Sequence, residues 1–198
     1  MSEAKNGGKK VNGGRAADVI PMKWAKTMAE AALGQGRLSA ALMIALGAGL
    51  GLRVSDVLRV TWTDIVDENG RARERVLVRE HKNRATRLVA PMPWARRIWE
   101  KAFEAIRPAD LSLPVVRMSR QRAWVLIKTM ASECGYTGRI SPHSLRKAFC
   151  SLLYDQTRDP VLTARLTGHR NPAHLLRYIG RSAPVEENLW RTIATMEI

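Results

Sequence analysis

The sequence predicts a mainly α-helical fold with a small antiparallel β-sheet (α+β), and three observations carry that expectation. Apolar residues recur at helical spacing over most of the chain. One stretch near residues 60–91 breaks that rhythm and is β-prone. Prolines and glycines then punctuate the later periodic segments where helices start and stop.

In chain order, residues 1–15 are polar and rich in Gly and Lys, and residues 1–20 read as a disordered basic tail. Helical patterns cover about 21–33 and 37–50. The second contains the most apolar run, "LSAALMIALGAGLGL" (38–52), which falls short of the ~18 residues of a membrane span. It reads as a buried core helix closed at Arg53, with Ser55 and Asp56 starting the next one. "ERVLVRE" (74–80) and "TRLVAPM" (86–92) are β-prone, and "HKNRA" between them makes a hairpin with a basic tip. Helices return at about 93–106, 119–134, 142–156, 160–167, 172–178 and 184–196. Neither an internal repeat nor an interdomain linker is visible, so residues 21–198 read as one domain.

Charge narrows the partners. Lys and Arg number 33 against 18 Asp and Glu, giving +15, and 24 of the 33 are Arg. Such an excess favours a polyanion, most often nucleic acid, and arginine suits forked phosphate contacts. A merely soluble basic domain stays open on charge alone. Aromatic content of 6% is thin for the stacking platforms of RNA recognition. Two cysteines, Cys134 and Cys150, do not make a disulfide framework, and the N-terminal residues carry no signal-peptide core. The expected location is the cytoplasm, with no membrane association.

Individual residues then raise chemical questions. In "SPHSLR", Ser141 is a good N-cap and Pro142 fits the first helical position. His143 and Arg146 therefore share one face near a helix N-terminus, where anions are favoured. With this composition roughly half an H-x-x-R is expected by chance, so the pair alone decides little. "RLTGHRNPAHLLRY" offers Gly168 as a helix stop, then His169, then a helix opened by Asn171-Pro172 and ending near Tyr178. Taken alone, His169 could be a satisfied loop histidine and Tyr178 a core residue. Arg53 closes an apolar stretch, and a partly buried charge needs a partner such as Asp56 or a phosphate. Lys82, in the hairpin, could be an ordinary solvated lysine.

Read together, "GLRVSD", "HKNRATRLV", "HSLR", "LTGH" and Tyr178 stand in an order and at intervals that resemble the tyrosine recombinase (lambda-integrase-like) family. The resemblance covers residues 21–198, and a catalytic domain by itself is similar to the short fimbrial inversion recombinases. Asp56 stands where the family often has Glu, and Thr167 where an apolar residue is usual.

The resemblance implies a tyrosine recombinase catalytic-domain fold and a reaction. Tyr178 would attack a phosphodiester of double-stranded DNA, giving a 3′-phosphotyrosyl enzyme and a free 5′-hydroxyl. Arg53 and Arg146 would hold the non-bridging oxygens, Lys82 would protonate the leaving 5′-oxygen, and His143 would assist Tyr178 as general acid/base. His169 would donate a hydrogen bond to the phosphate, and Asp56 would support the site. No cofactor or metal is expected, because two guanidiniums would do a metal's electrostatic work. The implied partners are DNA, further copies of the chain in a tetrameric synapse with C-terminal helix exchange, and an accessory DNA-bending protein. The apolar stripe of Leu189, Ile193 and Met196 is what such an exchange would use. The alternative is a DNA-binding regulator or architectural protein of the same fold that does not exchange strands.

Overall fold

A computed structural model describes residues 17–81 and 86–181. It is mainly helical with one two-stranded antiparallel sheet, as expected. Helix α1 (Met22–Gly34) packs on α2 (Leu38–Gly49), which is the centre of the molecule. From Ala40 to Gly49 every residue of α2 is buried, because α1, α5 (Pro93–Ile106) and α7 (Pro142–Thr157) cover it. Small residues allow that crowding. A Cβ on Gly49 would stand 2.4 Å from the Cβ of Ala95 on α5, so glycine is needed for close approach rather than for flexibility.

Two short helices, α3 (Val54–Val57) and α4 (Trp62–Ile65), follow α2. The α4 turn was not expected, although its Thr61-x-x-Asp64 capping box is legible in sequence. The hairpin joins β1 (Val76–Arg79) to β2 (Thr86–Val89), with Val76 opposite Val89 and Arg79 opposite Thr86. Helix α6 (Arg120–Glu133) precedes α7, and α8 (Pro160–Thr167) and α9 (Pro172–Tyr178) complete the described chain. Proline opens α5, α7, α8 and α9, where its missing N–H costs no hydrogen bond. Ser119, Ser141, Asp159 and Asn171 cap α6 to α9 through their side chains.

Two expectations need correction. The tail was expected to run to residue 20, but residues 17–20 belong to the fold. Asp18 exchanges backbone and side-chain bonds with Arg139, Lys147 Nζ donates to the Ala17 carbonyl at 2.7 Å, and Ile20 is buried. Nor does the apolar helix end at Arg53. It stops at Gly49, because Gly51 turns left-handed (φ 64°) against the ring of Phe149, where a Cβ would stand 2.3 Å from a ring carbon. Arg53 is thereby the N-cap of α3. The helix expected at 184–196 lies outside the described residues. Among the described residues no helix is long and apolar enough to cross a membrane.

Candidate recombinase site

The turn at Gly51 aims Arg53 toward the hairpin. Its Nη1 donates to Glu80 Oε2 at 2.7 Å and stands 4.0 Å from Asp56 Oδ2, and 19% of the side chain is exposed. Asp56 is buried and its Oδ1 accepts the His81 N–H at 3.1 Å, which fixes the backbone just ahead of Lys82. Lys82 itself lies outside the described residues.

Arg146 approaches the same place from α7. Nη1 donates to the Gly51 carbonyl at 2.8 Å and Nη2 to the Thr167 carbonyl at 2.6 Å, in a side chain that is 2% exposed. Two of its five N–H groups are thus committed to backbone. Arg146 locks the Arg53 turn to the His169 turn, and Arg53 is the more open of the two guanidiniums.

Sequence reasoning missed two members of this cluster. Glu80 follows β1, is 2% exposed, and lies 3.6 Å from Arg146 and 3.5 Å from Arg87 by its Oε1. Burial would raise its pKa, yet the Arg53 hydrogen bond and the charges of Arg146, Arg53 and Arg87 hold it below the usual value. The signal was present: strand alternation puts Glu80 on the buried face with Val76 and Val78. Arg87 donates to the carbonyls of Leu166 (2.9 Å) and Leu50 (3.1 Å). Burial, then the charge of Arg146, lowers its pKa to about 10.

His143 stands in the first turn of α7, whose start is closed by a capping box between Ser141 and Ser144. Its own N–H is taken by Ser141 Oγ at 3.2 Å, so less of the helix terminus is free for an anion than the sequence suggested. The imidazole is exposed at its edge, but lost hydration, then Arg146, Lys147 and Arg53, lower its pKa.

His169 and Tyr178 arrive from the α8–α9 turn. Gly168 ends α8 left-handed (φ 71°), which swings His169 inward. Burial, followed by the charges of Arg146 and Arg53, pushes the imidazole down to about 4, so it is neutral near pH 7. Its Nδ1 lies 2.7 Å from Thr167 Oγ1, and that hydroxyl donates to the Thr163 carbonyl at 2.7 Å. The tautomer follows that hydroxyl: where it donates to Thr163, Nδ1 carries the ring proton, and where it turns to Nδ1, Nε2 carries it and donates as expected of His169.

Tyr178, the last residue of α9, is half-buried and donates its hydroxyl to the His143 carbonyl at 3.2 Å. Its ring centroid is 5.3 Å from that of His169, and Lys147 Nζ is 5.3 Å from its ring. Burial, then Cys150, raises the phenol's pKa, while Arg146 and Arg53 oppose the rise. Beside Tyr178 opens a groove of about 1220 Å³, lined among others by Arg120, Trp124, Lys128, His143 and Arg177. Basic side chains and an exposed indole suit a phosphate backbone with bases beside it. Of the seven expected site residues, Arg53 and Arg146 meet at Glu80 with Asp56 beside Arg53, and Tyr178, on the groove with His143, meets the His143 carbonyl and the His169 ring.

The description of the phage integrase family matches residues 20–183. The type 1 fimbriae regulatory protein FimE of Escherichia coli (strain K12) is 29% identical over 150 residues, covering 71% of this chain and 73% of that protein. The probable integrase/recombinase YoeC of Bacillus subtilis (strain 168) is 25% identical over 138 residues, 68% of this chain and 73% of its own. Among solved structures, the XerA recombinase superposes with a TM-score of 0.67 at 17% identity, covering 96% of this chain and 68% of that one. The XerH site-specific recombinase bound to its difH substrate gives 0.69 at 18%, covering 90% and 54%.

Proposed function

Since the chain belongs to the phage integrase family, the tyrosine recombinases that cleave and rejoin DNA through a phosphotyrosine, we propose that Tyr178 is its nucleophile and that Arg53, Arg146, His143, His169 and Lys82 serve it. The observation that carries this reading is Tyr178 on the groove, bonded to the His143 carbonyl and close to the His169 ring, with Arg146 tying the Arg53 and His169 turns together behind it.

The Tyr178 oxygen attacks phosphorus, the phosphorus–5′-oxygen bond breaks, and the 5′-oxygen leaves with a proton supplied by Lys82. The phosphotyrosyl bond conserves the energy of the broken linkage, so a 5′-hydroxyl can reverse the step without ATP. The raised phenol pKa means that Tyr178 is protonated at neutral pH and loses its proton during attack. His143, whose carbonyl already receives the Tyr178 hydroxyl and whose lowered pKa keeps the imidazole neutral, is the assigned acceptor. Arg53 contacts the non-bridging oxygens. Arg146 adds its charge to theirs and, through the Gly51 and Thr167 carbonyls, fixes the turns that carry Arg53 and His169. An entering phosphate favours imidazolium at His169, which would then donate from Nε2. Asp56 supports the site by holding residue 81.

In this reading residues 21–198 are one catalytic domain, acting in the cytoplasm on double-stranded DNA. Further copies join it in a tetrameric synapse, linked by the C-terminal segment, and an accessory protein bends the site. The XerH structure is a complex with its DNA substrate, and a lambda integrase fragment is a dimer on a core site. The net charge of +15 supports the same kind of partner here.

Footprinting on DNA flanking the gene, followed by incubation with nicked duplexes of the protected site, tests the proposal. The parent forms a denaturation-resistant adduct, and Tyr178→Phe binds equally but forms none. An adduct from Tyr178→Phe would overturn the assignment, and a parent that binds without ever forming one would favour a regulator.

A further inference from the structure

We propose that Glu80 is a positioning residue for strand cleavage: its buried carboxylate sets the direction of the Arg53 guanidinium and the packing of the turn that carries His169. The inference rests on the recombinase reading and deepens it.

Three independent contacts converge on this one side chain. Oε2 takes the Arg53 hydrogen bond at 2.7 Å, and Oε1 faces Arg146 at 3.6 Å and Arg87 at 3.5 Å. The carboxylate also packs on Gly168, where a Cβ would stand 2.4 Å from Oε1. Position 168 is therefore glycine for space as well as for its left-handed φ of 71°. One anion thus touches the Arg53 turn, α7, β2 and the Gly168–His169 turn.

Three guanidiniums this close repel one another, and a resident anion lowers that cost. Two could stand in, a carboxylate of the protein or a phosphate of the DNA. With Glu80 present, the forks are aligned before the phosphate arrives, so phosphate binding need not supply the alignment. Without it, the phosphate becomes the neutralising anion. Binding then improves while orientation worsens.

That split separates positioning from a purely structural role. Single-turnover cleavage and DNA affinity are measured for the parent, Glu80→Gln and Glu80→Asp on nicked duplexes of the footprinted site. Glu80→Gln should bind as tightly as the parent or up to several-fold more tightly, and cleave at least ~10-fold more slowly. Glu80→Asp, which keeps the charge, should recover at least ~3-fold of that rate. A parental rate in Glu80→Gln overturns the proposal, and so does a joint fall of rate and affinity that follows the folded fraction. If Glu80→Gln does not fold, Glu80→Gln/Arg87→Gln, which removes one charge of each sign, is judged by the same criteria. Failure of both to fold assigns Glu80 to the scaffold and overturns it as well.

Guanidinium NMR gives a readout that needs no reaction. The Arg53 Nε–H signal, assigned with Arg53→Lys, should be sharp in the parent and exchange-broadened in Glu80→Gln. A parent without cleavage but with this change would count against the recombinase reading and leave the Glu80 assignment standing. An unchanged Arg53 signal would remove the assignment whatever the activity.

Discussion

The apolar cluster around α2 draws on α1, α5, α6 and α7 and includes Leu42, Ile44, Trp99 and Ile127, all below 2% exposed. The cluster beneath α9 consists of Cys150, Tyr154, Ala164, Leu175, Leu176 and Ile179. The first positions Arg53 and Arg146, and the second positions His169 and Tyr178. Burial scales with apolar area, so the smaller cluster contributes far less to holding its helices down. Polar bonds from the larger body make up part of the difference: Arg146 to Thr167, Arg87 to Leu166, and the packing of Glu80 on Gly168. Tyr178 thus rides on the part of the molecule held by the smaller cluster, and Arg53 and Arg146 on the part held by the larger. Local opening of a functional segment at less than the global cost is what such an arrangement permits.

Removing the largest side chain of the main cluster gives the largest expected effect. Trp99→Ala should cost about 3–5 kcal/mol and lower protection from hydrogen exchange throughout the chain. If α2 keeps its protection in that variant, the two clusters are not ranked as described. Leu175→Ala in the small cluster should cost about 2–4 kcal/mol. Its signature differs: exchange should quicken in α8 and α9 while α2 stays protected, and adduct formation should fall although DNA is still bound. Uniform quickening would mean that the two clusters unfold as one.

Acid should act on the small cluster next. The folded pKa of His169 is about 4 against 6.5 for the free side chain, so the unfolded chain takes up a proton first as pH falls. Stability is full above about pH 6.5 and is lost on the way down to about 4, on the order of 2–3 kcal/mol in all. His143 shifts in the same direction. Denaturant midpoints across that range should fall in the parent and fall less in His169→Gln. Equal slopes would remove His169 from this account. The smallest change in stability belongs to Tyr178→Phe, which loses one half-exposed hydrogen bond to the His143 carbonyl, about 1 kcal/mol or less. Any larger loss would show that the phenol is part of the scaffold.

The sequence made the frame of this comparison legible through punctuation. Pro142, Pro160 and Pro172 mark the starts of α7, α8 and α9, and Gly168 marks the turn before His169. Spacing set Arg146, His169 and Tyr178 on those elements. What it hid was the second partner of each charge. Arg53 looks to Asp56 three residues on, but its short bond is to Glu80, 27 residues away across the hairpin. Arg146 looks like a surface clamp beside His143, yet its donors turn inward to carbonyls 95 and 21 residues away. Such contacts depend on which turn meets which strand, and no local period encodes that. Asp18 and Ala17 were assigned to the tail for the same reason, since their partners Arg139 and Lys147 are far along the chain.

That last contact has a practical side. Ala17 lines the same groove as His143 and Tyr178, and Lys147 grips its carbonyl while standing over the tyrosine ring. An affinity tag, a fluorescent fusion or a crosslinker joined ahead of residue 17 therefore begins its path at the mouth of the groove that DNA would fill. Spacer length there becomes an experimental variable: a short bulky fusion would compete with DNA for the groove, and a dye on a short spacer would report from beside Tyr178.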